Sequence, residues 1–273
     1  MFIVGHTLVW HSQTPDWVFK DEKGNPIGRD ALLKRLHDHI STVMGRYKGR
    51  IQSWDVVNEA LNEDGTLRES KWKKIIGDDY LVKAYQWAHE ADPAAELNYN
   101  DYSVEVPAKR RGAIELVKKL QAAGIKISVV GVQGHDSLDW PTLKEEEATI
   151  DELAALGVKV AITELDIDVL PKAADNTADI SLNVHADPKL NPYVTGLPDA
   201  QKKELAQRYA DLFRIYWKHR DQISRVTLWG VMDGDSWKNN WPVMGRTNYP
   251  LLWDRSGKPK LAQNAVLQVP KGL

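Results

Sequence analysis

Short apolar runs alternate along this chain with longer segments in which apolar residues recur every three or four positions. The runs at 2–9, 51–57, 96–99, 126–132, 158–163 and 226–231 predict strands. Of these, 96–99 is only weakly apolar and is read as a strand from its place in the rhythm. The segments at 30–47, 80–91, 110–123, 143–156, 199–219 and 260–269 predict helices, with Leu32, Leu33, Leu36, Ile40 and Val43 lining one face of the first. Punctuation agrees: Asp92-Pro93 stops the second helix, Pro107 sits at a helix start, and Gly124 and Gly157 follow helix ends. Six βα units in succession predict an α/β fold with a parallel sheet covered by helices. No Ser/Gly-rich linker divides residues 1–273, so the pattern predicts one domain. The longest irregular piece, 171–198, holds four prolines, and a loop of that length in a compact domain is usually functional or mobile. The charged run Lys144 to Glu147 reads as a solvated helix face.

Polar and aromatic residues collect where the predicted strands end. The first strand runs into GHTLVWHSQ, the second into NE and the third into NYNDY; the fourth, fifth and sixth run into QGHD, TELDID and WGVMDGDSW. In parallel β/α folds the loops after the strands form the active-site face. Two glutamates stand out, Glu59 and Glu164, because each follows an apolar strand at whose end an unpaired charge is costly. Paired carboxylates on one sheet suit glycosidic cleavage, one protonating the leaving oxygen while the other attacks or activates water. Asp166 shares a face with Glu164 on an extended backbone, and Gln133 shares one with His135. A histidine between carboxylates can orient a nucleophile and hold its ionisation. Asn58 and Glu59 are adjacent, so if both act the strand must end or bulge there.

Composition narrows the partners. A net charge of −2 gives no electrostatic case for nucleic acid or an anionic membrane surface, and no apolar stretch approaches the ~20 residues that cross a bilayer. Zero cysteines exclude disulfides, thiolate catalysis and Cys-ligated metals. His6 and His11 lack the spacing of a metal motif, Asp166-Ile167-Asp168 has no neighbouring ligand run, and no metal is expected. G-x-S-x-G and phosphate-loop motifs are absent. Residues 1–7 do not have the form of a signal peptide. Eleven tryptophans against three phenylalanines supply flat rings suited to stacking on sugars; about half are expected to be core instead.

GHTLVWHSQTPDW, WDVVNEA, GVQGHD, ITELDID and WGVMDGDSW, in this order and followed by LLWDRSGKPKLAQNAV, together resemble the xylanases of glycoside hydrolase family ten. The resemblance implies a TIM-type (β/α)₈ barrel that hydrolyses internal β-1,4 bonds of xylan or xylo-oligosaccharides with retention, without a cofactor. It implies that Glu59 is the general acid/base and Glu164 the nucleophile. Asn58 would bond the sugar 2-hydroxyl. His135, held by Asp166 with Gln133 beside it, would keep Glu164 ionised and aimed. His6, Trp10, Trp229 and Trp237 would wall the sugar subsite at the cleavage point, and Tyr102 would lie on the leaving-group side. Burial and the negative Glu164 should raise the Glu59 pKa so that it carries a proton near neutral pH. Retention implies carboxyl groups about 5–5.5 Å apart.

GHTLVW matches the third strand of that barrel yet starts at residue 5. The resemblance therefore implies that the first two βα units, roughly 60 residues or more, are absent, with the family's asparagine, glutamate and lysine that grip the neighbouring sugar. Six strands do not close such a barrel, and the open edges would favour self-association. A fragment of a longer gene, a partner chain that fills the gap, or an incomplete barrel of reduced activity would each account for this. The rival functions are a β-1,4-glycanase for cellulose or mixed glucan, and a truncated, weakly active or non-catalytic glycan binder. A nucleic-acid binder using aromatic stacking fails on charge. Polymeric xylan does not enter cells, so an extracellular or periplasmic location follows from the substrate.

Overall fold

A computed structural model describes residues 1–173 and 178–271. Backbone proximity groups the chain into two units. The first holds Met1–Asp101, Pro107–Gly131 and Leu153–Lys159; the second holds Tyr102–Val106, Val132–Glu152 and Val160–Leu273. Each is described by itself.

In the first unit the strands β1 (Val4–Trp10), β2 (Ser53–Asn58), β3 (Glu96–Asp101) and β4 (Val129–Val132) lie in that order, the last residue of β4 being grouped with the second unit. β1 pairs with β2 in parallel from Val4↔Ser53 to Trp10↔Asn58, and β2 with β3 from Ser53↔Glu96 to Asn58↔Asn100. Every residue of β2 is buried, the composition expected of a parallel strand covered on both faces. Gly5 is required where it stands: a Cβ there would lie 2.2 Å from the Trp54 ring of the neighbouring strand.

The helices of this unit are α1 (Arg29–Tyr47), α2 (Lys71–Ile76), α3 (Tyr80–Ala91) and α4 (Pro107–Ala122). Leu32, Leu36, Ile40 and Met44 form the buried stripe of α1 at four-residue spacing. α2 has no counterpart among the expected helices; six residues are too few for periodicity to show. Its start is set by Ser70, whose hydroxyl accepts from the Lys73 N–H.

The second unit contains β5 (His135–Ser137), α5 (Leu143–Ala154), β6 (Lys159–Asp168), α6 (Asp199–Lys218), β7 (Ile223–Leu228) and α7 (Leu261–Gln268). β6 pairs in parallel with β5 from His135↔Asp166 to Ser137↔Asp168, and with β7 from Val160↔Ile223 to Leu165↔Leu228. That double pairing carries β6 five residues past the expected end at 163, so Glu164 and Asp166 sit inside a strand. β5 is a further addition, separated from β4 by Gly134 at φ +75°. Thr142 and Glu145 cap α5 reciprocally, the Thr142 hydroxyl accepting from the Glu145 N–H and the Glu145 carboxylate from the Thr142 N–H. Residues 174–177 of the long loop lie outside the described residues; within the rest, Pro188–Leu190 forms one 3₁₀ turn.

The run Lys144 to Glu147 is not wholly a solvated face. Glu146 is buried, on the same stripe of α5 as Ile150 and Leu153. Four consecutive charges span more than one turn of helix, so one of them points inward.

Candidate active site

In the first unit, β1 presents His6 and Trp10 and the end of β2 presents Asn58 and Glu59. β2 stops at Asn58, and Glu59 adopts the left-handed conformation at φ +54°. For a residue with a Cβ this costs on the order of 1–3 kcal/mol, and the surroundings hold it in place. The Glu59 N–H donates to the Asn100 carbonyl at 2.9 Å, and the Ala60 N–H to the Tyr99 hydroxyl at 3.2 Å. The strand end thus releases neighbouring residues Asn58 and Glu59 from the alternate facing of a regular strand. Glu59 is 5% exposed. The Trp10 indole N–H donates to Glu59 Oε2 at 2.7 Å, and His11 Nδ1 lies 3.9 Å from the same oxygen.

Each of these groups is braced. The Trp72 indole N–H donates to the Trp10 carbonyl at 2.9 Å, fixing the backbone that carries the ring. Asn100 Nδ2 donates to Asn58 Oδ1 at 2.9 Å, which leaves the Asn58 amide N–H₂ as the donor end. His6 Nδ1 meets Asp55 Oδ2 at 2.9 Å, and Asn98 donates to the other oxygen of Asp55 at 3.1 Å. Asp55, Asn98 and Asn100 were not picked out by sequence reasoning. Their signal was faint: polar residues at alternate positions of otherwise apolar strands.

In the second unit, β6 carries Glu164 and Asp166, two residues apart on one face, and β5 begins at His135 in register with Asp166. His135 bridges the two acids: Nδ1 lies 2.9 Å from Asp166 Oδ1 and Nε2 3.3 Å from Glu164 Oε2. Burial opposes a charged imidazole, but Asp166 and Glu164 outweigh it and take the His135 pKa up to about 9. At neutral pH both ring nitrogens therefore carry protons and donate. Burial likewise works against an ionised Asp166, yet Lys238, His135 and the Trp237 indole N–H hold its pKa below the usual carboxylate range. Trp237 Nε1 donates to Asp166 Oδ2 at 2.7 Å.

Aromatic rings flank this charge chain. The Trp237 ring centroid is 4.8 Å from that of His135, and Trp229, 40% exposed, is edge-on to His135 at 6.4 Å. Trp241 stacks on Trp237 at 4.6 Å and an interplanar angle of 23°. Gln133 is buried, and its carbonyl accepts the Glu164 N–H at 2.8 Å; Gly134 breaks the extended path between Gln133 and His135. Tyr102 is 1% exposed and so presents little surface. Trp241 and Lys238 escaped sequence reasoning, although WKNNW places two rings four residues apart and a cation beside the first. Among the described residues no group of three or more His, Cys, Asp or Glu is arranged to hold a metal ion. No helix among them is long and apolar enough to cross a membrane.

Thus the first unit brings His6, Trp10, Asn58 and Glu59 together, and the second brings together Gln133, His135, Glu164, Asp166, Trp229 and Trp237. Buried carboxylates held by an indole N–H or an imidazolium, beside aromatic rings on a β/α scaffold, are the equipment of a glycosidase. Residues 1–269 match the model of glycosyl hydrolase family 10, and the chain belongs to that family. The family fold is the (β/α)₈ barrel, in accord with the parallel strands and helices of each unit.

An endo-1,4-β-xylanase A of Xylanibacter ruminicola is 48% identical over 270 residues, covering 98% of this chain and 73% of that protein. The solved structure of a family 10 endoxylanase retrieved from a sugarcane soil metagenome is 50% identical at a TM-score of 0.96, covering 98% of this chain and 78% of that one. A variant structure solved in complex with xylotriose is 38% identical at a TM-score of 0.86, covering 98% and 77%.

Proposed function

We propose that this chain is a retaining endo-β-1,4-xylanase that cleaves internal bonds of xylan by double displacement. Glu164 attacks the anomeric carbon while Glu59 protonates the departing glycosidic oxygen, giving a glycosyl-enzyme ester. Glu59, now a carboxylate, removes a proton from water; the water attacks the anomeric carbon, and Glu164 leaves as a carboxylate. No cofactor enters this chemistry. The observation that carries the reading is His135 between Glu164 and Asp166: a protonated imidazole donating to Glu164 keeps the nucleophile anionic and fixes one of its oxygens. In this reading Asn58 offers its N–H₂ to a sugar hydroxyl, His6, Trp10, Trp229 and Trp237 wall the sugar subsite, Gln133 acts beside His135, and Tyr102 serves the leaving-group side. The relatives' names and the xylotriose complex support xylan as the substrate.

We further read the quarter of the relatives outside the alignment as the first two βα units of the barrel. Among the described residues no strand pairs with the outer side of β1, and a groove of about 790 Å³ runs there between β1 and α1. Leu8, Trp10, Val18, Val43 and Trp72 line it, which suits the apolar face of a preceding βα unit. Where no such unit covers this edge, self-association through it is the proposed consequence. The natural substrate being a polymer, the proposed location is extracellular or periplasmic.

The test is reducing-end release from xylan by the chain beside Glu164→Gln, with cellulose and mixed-linkage glucan in parallel. Release from xylan that disappears in the variant is the expected result. Faster release from a glucan would replace xylanase with a broader glycanase, and binding without turnover by folded chain would leave only a glycan binder.

A further inference from the structure

Lys238 follows the ring-bearing Trp237 and is 3% exposed, a place where an ammonium group costs several kcal/mol unless acids compensate it. Its Nζ lies 3.4 Å from Asp166 Oδ1, the oxygen that His135 also holds. The short 3₁₀ turn Trp237–Asn239 fixes its direction. Ser236 Oγ accepts the Lys238 N–H at 3.2 Å, and Asn239 Nδ2 donates to the Asp233 and Ser236 carbonyls at 2.8 Å each. The same turn therefore delivers two groups to one carboxylate, the indole N–H of Trp237 and the ammonium of Lys238. The faces of Trp237 and Trp241 lie 5.3 and 5.6 Å from Nζ, which shields it from water.

Glu164 and Asp166 contribute two negative charges and His135 one positive charge. Without another cation the buried set would be net negative, which favours proton uptake by the acid facing the substrate. We propose, resting on the reading of Glu164 as nucleophile, that Lys238 is a positioning residue that completes a neutral chain of carboxylate, imidazolium, carboxylate and ammonium, and so keeps Glu164 ionised through Asp166 and His135. Among the described residues, Asp136 on β5, whose pKa burial pushes well above the usual carboxylate range, and Tyr209 on α6 also interact electrostatically with this set. Behind Asp136 stand Glu105, Glu146 and Arg208, with Arg208 Nη2 3.5 Å from Asp136 Oδ2. Of the two acids, only Asp166 on β6 is joined through His135 to Glu164.

The test compares the chain with Lys238→Met and Lys238→Arg in two ways. The first follows the His135 ring nitrogens by ¹⁵N NMR across pH, which requires no turnover. Loss of the cation makes the chain net negative, so in Lys238→Met the His135 titration should move up by roughly half a unit or more. The second is the pH profile of kcat/KM on an aryl xylobioside, whose acidic limb should move to higher pH in Lys238→Met. Lys238→Arg should restore both. A folded Lys238→Met with both profiles unmoved overturns the proposal. So does Lys238→Arg behaving like Lys238→Met, because the role would then be packing and not charge. Should Lys238→Met not fold, Lys238→Gln gives the same readings. A parent chain inactive on every glycan would sink the xylanase reading yet leave the NMR comparison to decide on Lys238.

Discussion

The indole N–H of Trp10 donates to Oε2 of Glu59 at 2.7 Å, so a residue expected only as a wall of the sugar site also grips the proposed acid/base. Trp10→Phe keeps an aromatic ring and removes the donor. As Glu59 gives up its proton the bond becomes one to a charged group, which contributes about 1.5–3 kcal/mol, so kcat/KM on xylan should fall by about tenfold or more. A loss below twofold would mean that Glu59 is held by other partners.

Glu59→Gln separates protonation from attack. On xylan, whose leaving group needs a proton, the rate should fall by about 10²-fold or more. On a dinitrophenyl xylobioside, whose leaving group departs unprotonated, the first step should be nearly unaffected and a burst of phenolate should appear. Equal losses on both substrates would contradict the assignment.

Glu146 predicts how stability depends on pH. Burial, the neighbouring Glu105 and a weaker opposing pull from Tyr216 and Arg208 take its pKa up to about 8 from 4.5. The folded chain then holds a proton that the unfolded chain releases, so stability falls as pH rises between those values. His135 acts in the same direction: its contribution is full below about 6.5 and is lost through about 9. Glu146→Gln removes the first effect only. Its Tm should exceed the parent's by about 3 °C or more at pH 8.5 and by less at pH 4. A variant less stable at both would show the carboxylate to be a net stabilising partner of Arg208.

Gly5→Ala tests the packing of β1 on β2. The added Cβ meets the Trp54 ring at 2.2 Å, and such overpacking costs about 1–3 kcal/mol. A denaturant midpoint unchanged within error would show that the Trp54 ring can move aside.

Most of the architecture was legible because strands buried on both faces leave continuous apolar runs, and α1, α3, α4 and α6 are long enough to show their period. What was hidden depended on distant partners. β6 extends to Asp168 because β5 and β7 pair along it, and nothing in TELDID announces that. β5 is three residues long, below what periodicity can reveal. Glu146 looked solvated because its neighbours are charged, and only the packing of α5 turns it inward. Glu59 and Glu164 stood out because a charge after an apolar run needs an explanation. Lys238 did not, because a lysine beside a tryptophan in a loop is ordinary until Asp166 is seen against it.

A nucleophilic Glu164 becomes covalently bonded to the sugar during each turnover. Incubating the chain with a dinitrophenyl 2-deoxy-2-fluoro-xylobioside, which slows the second displacement more than the first, should give a stable adduct. Peptide mass spectrometry should place the fluoroxylobiosyl group on Glu164. The label on another carboxylate, or steady turnover with no adduct at all, would rule out Glu164 as the nucleophile.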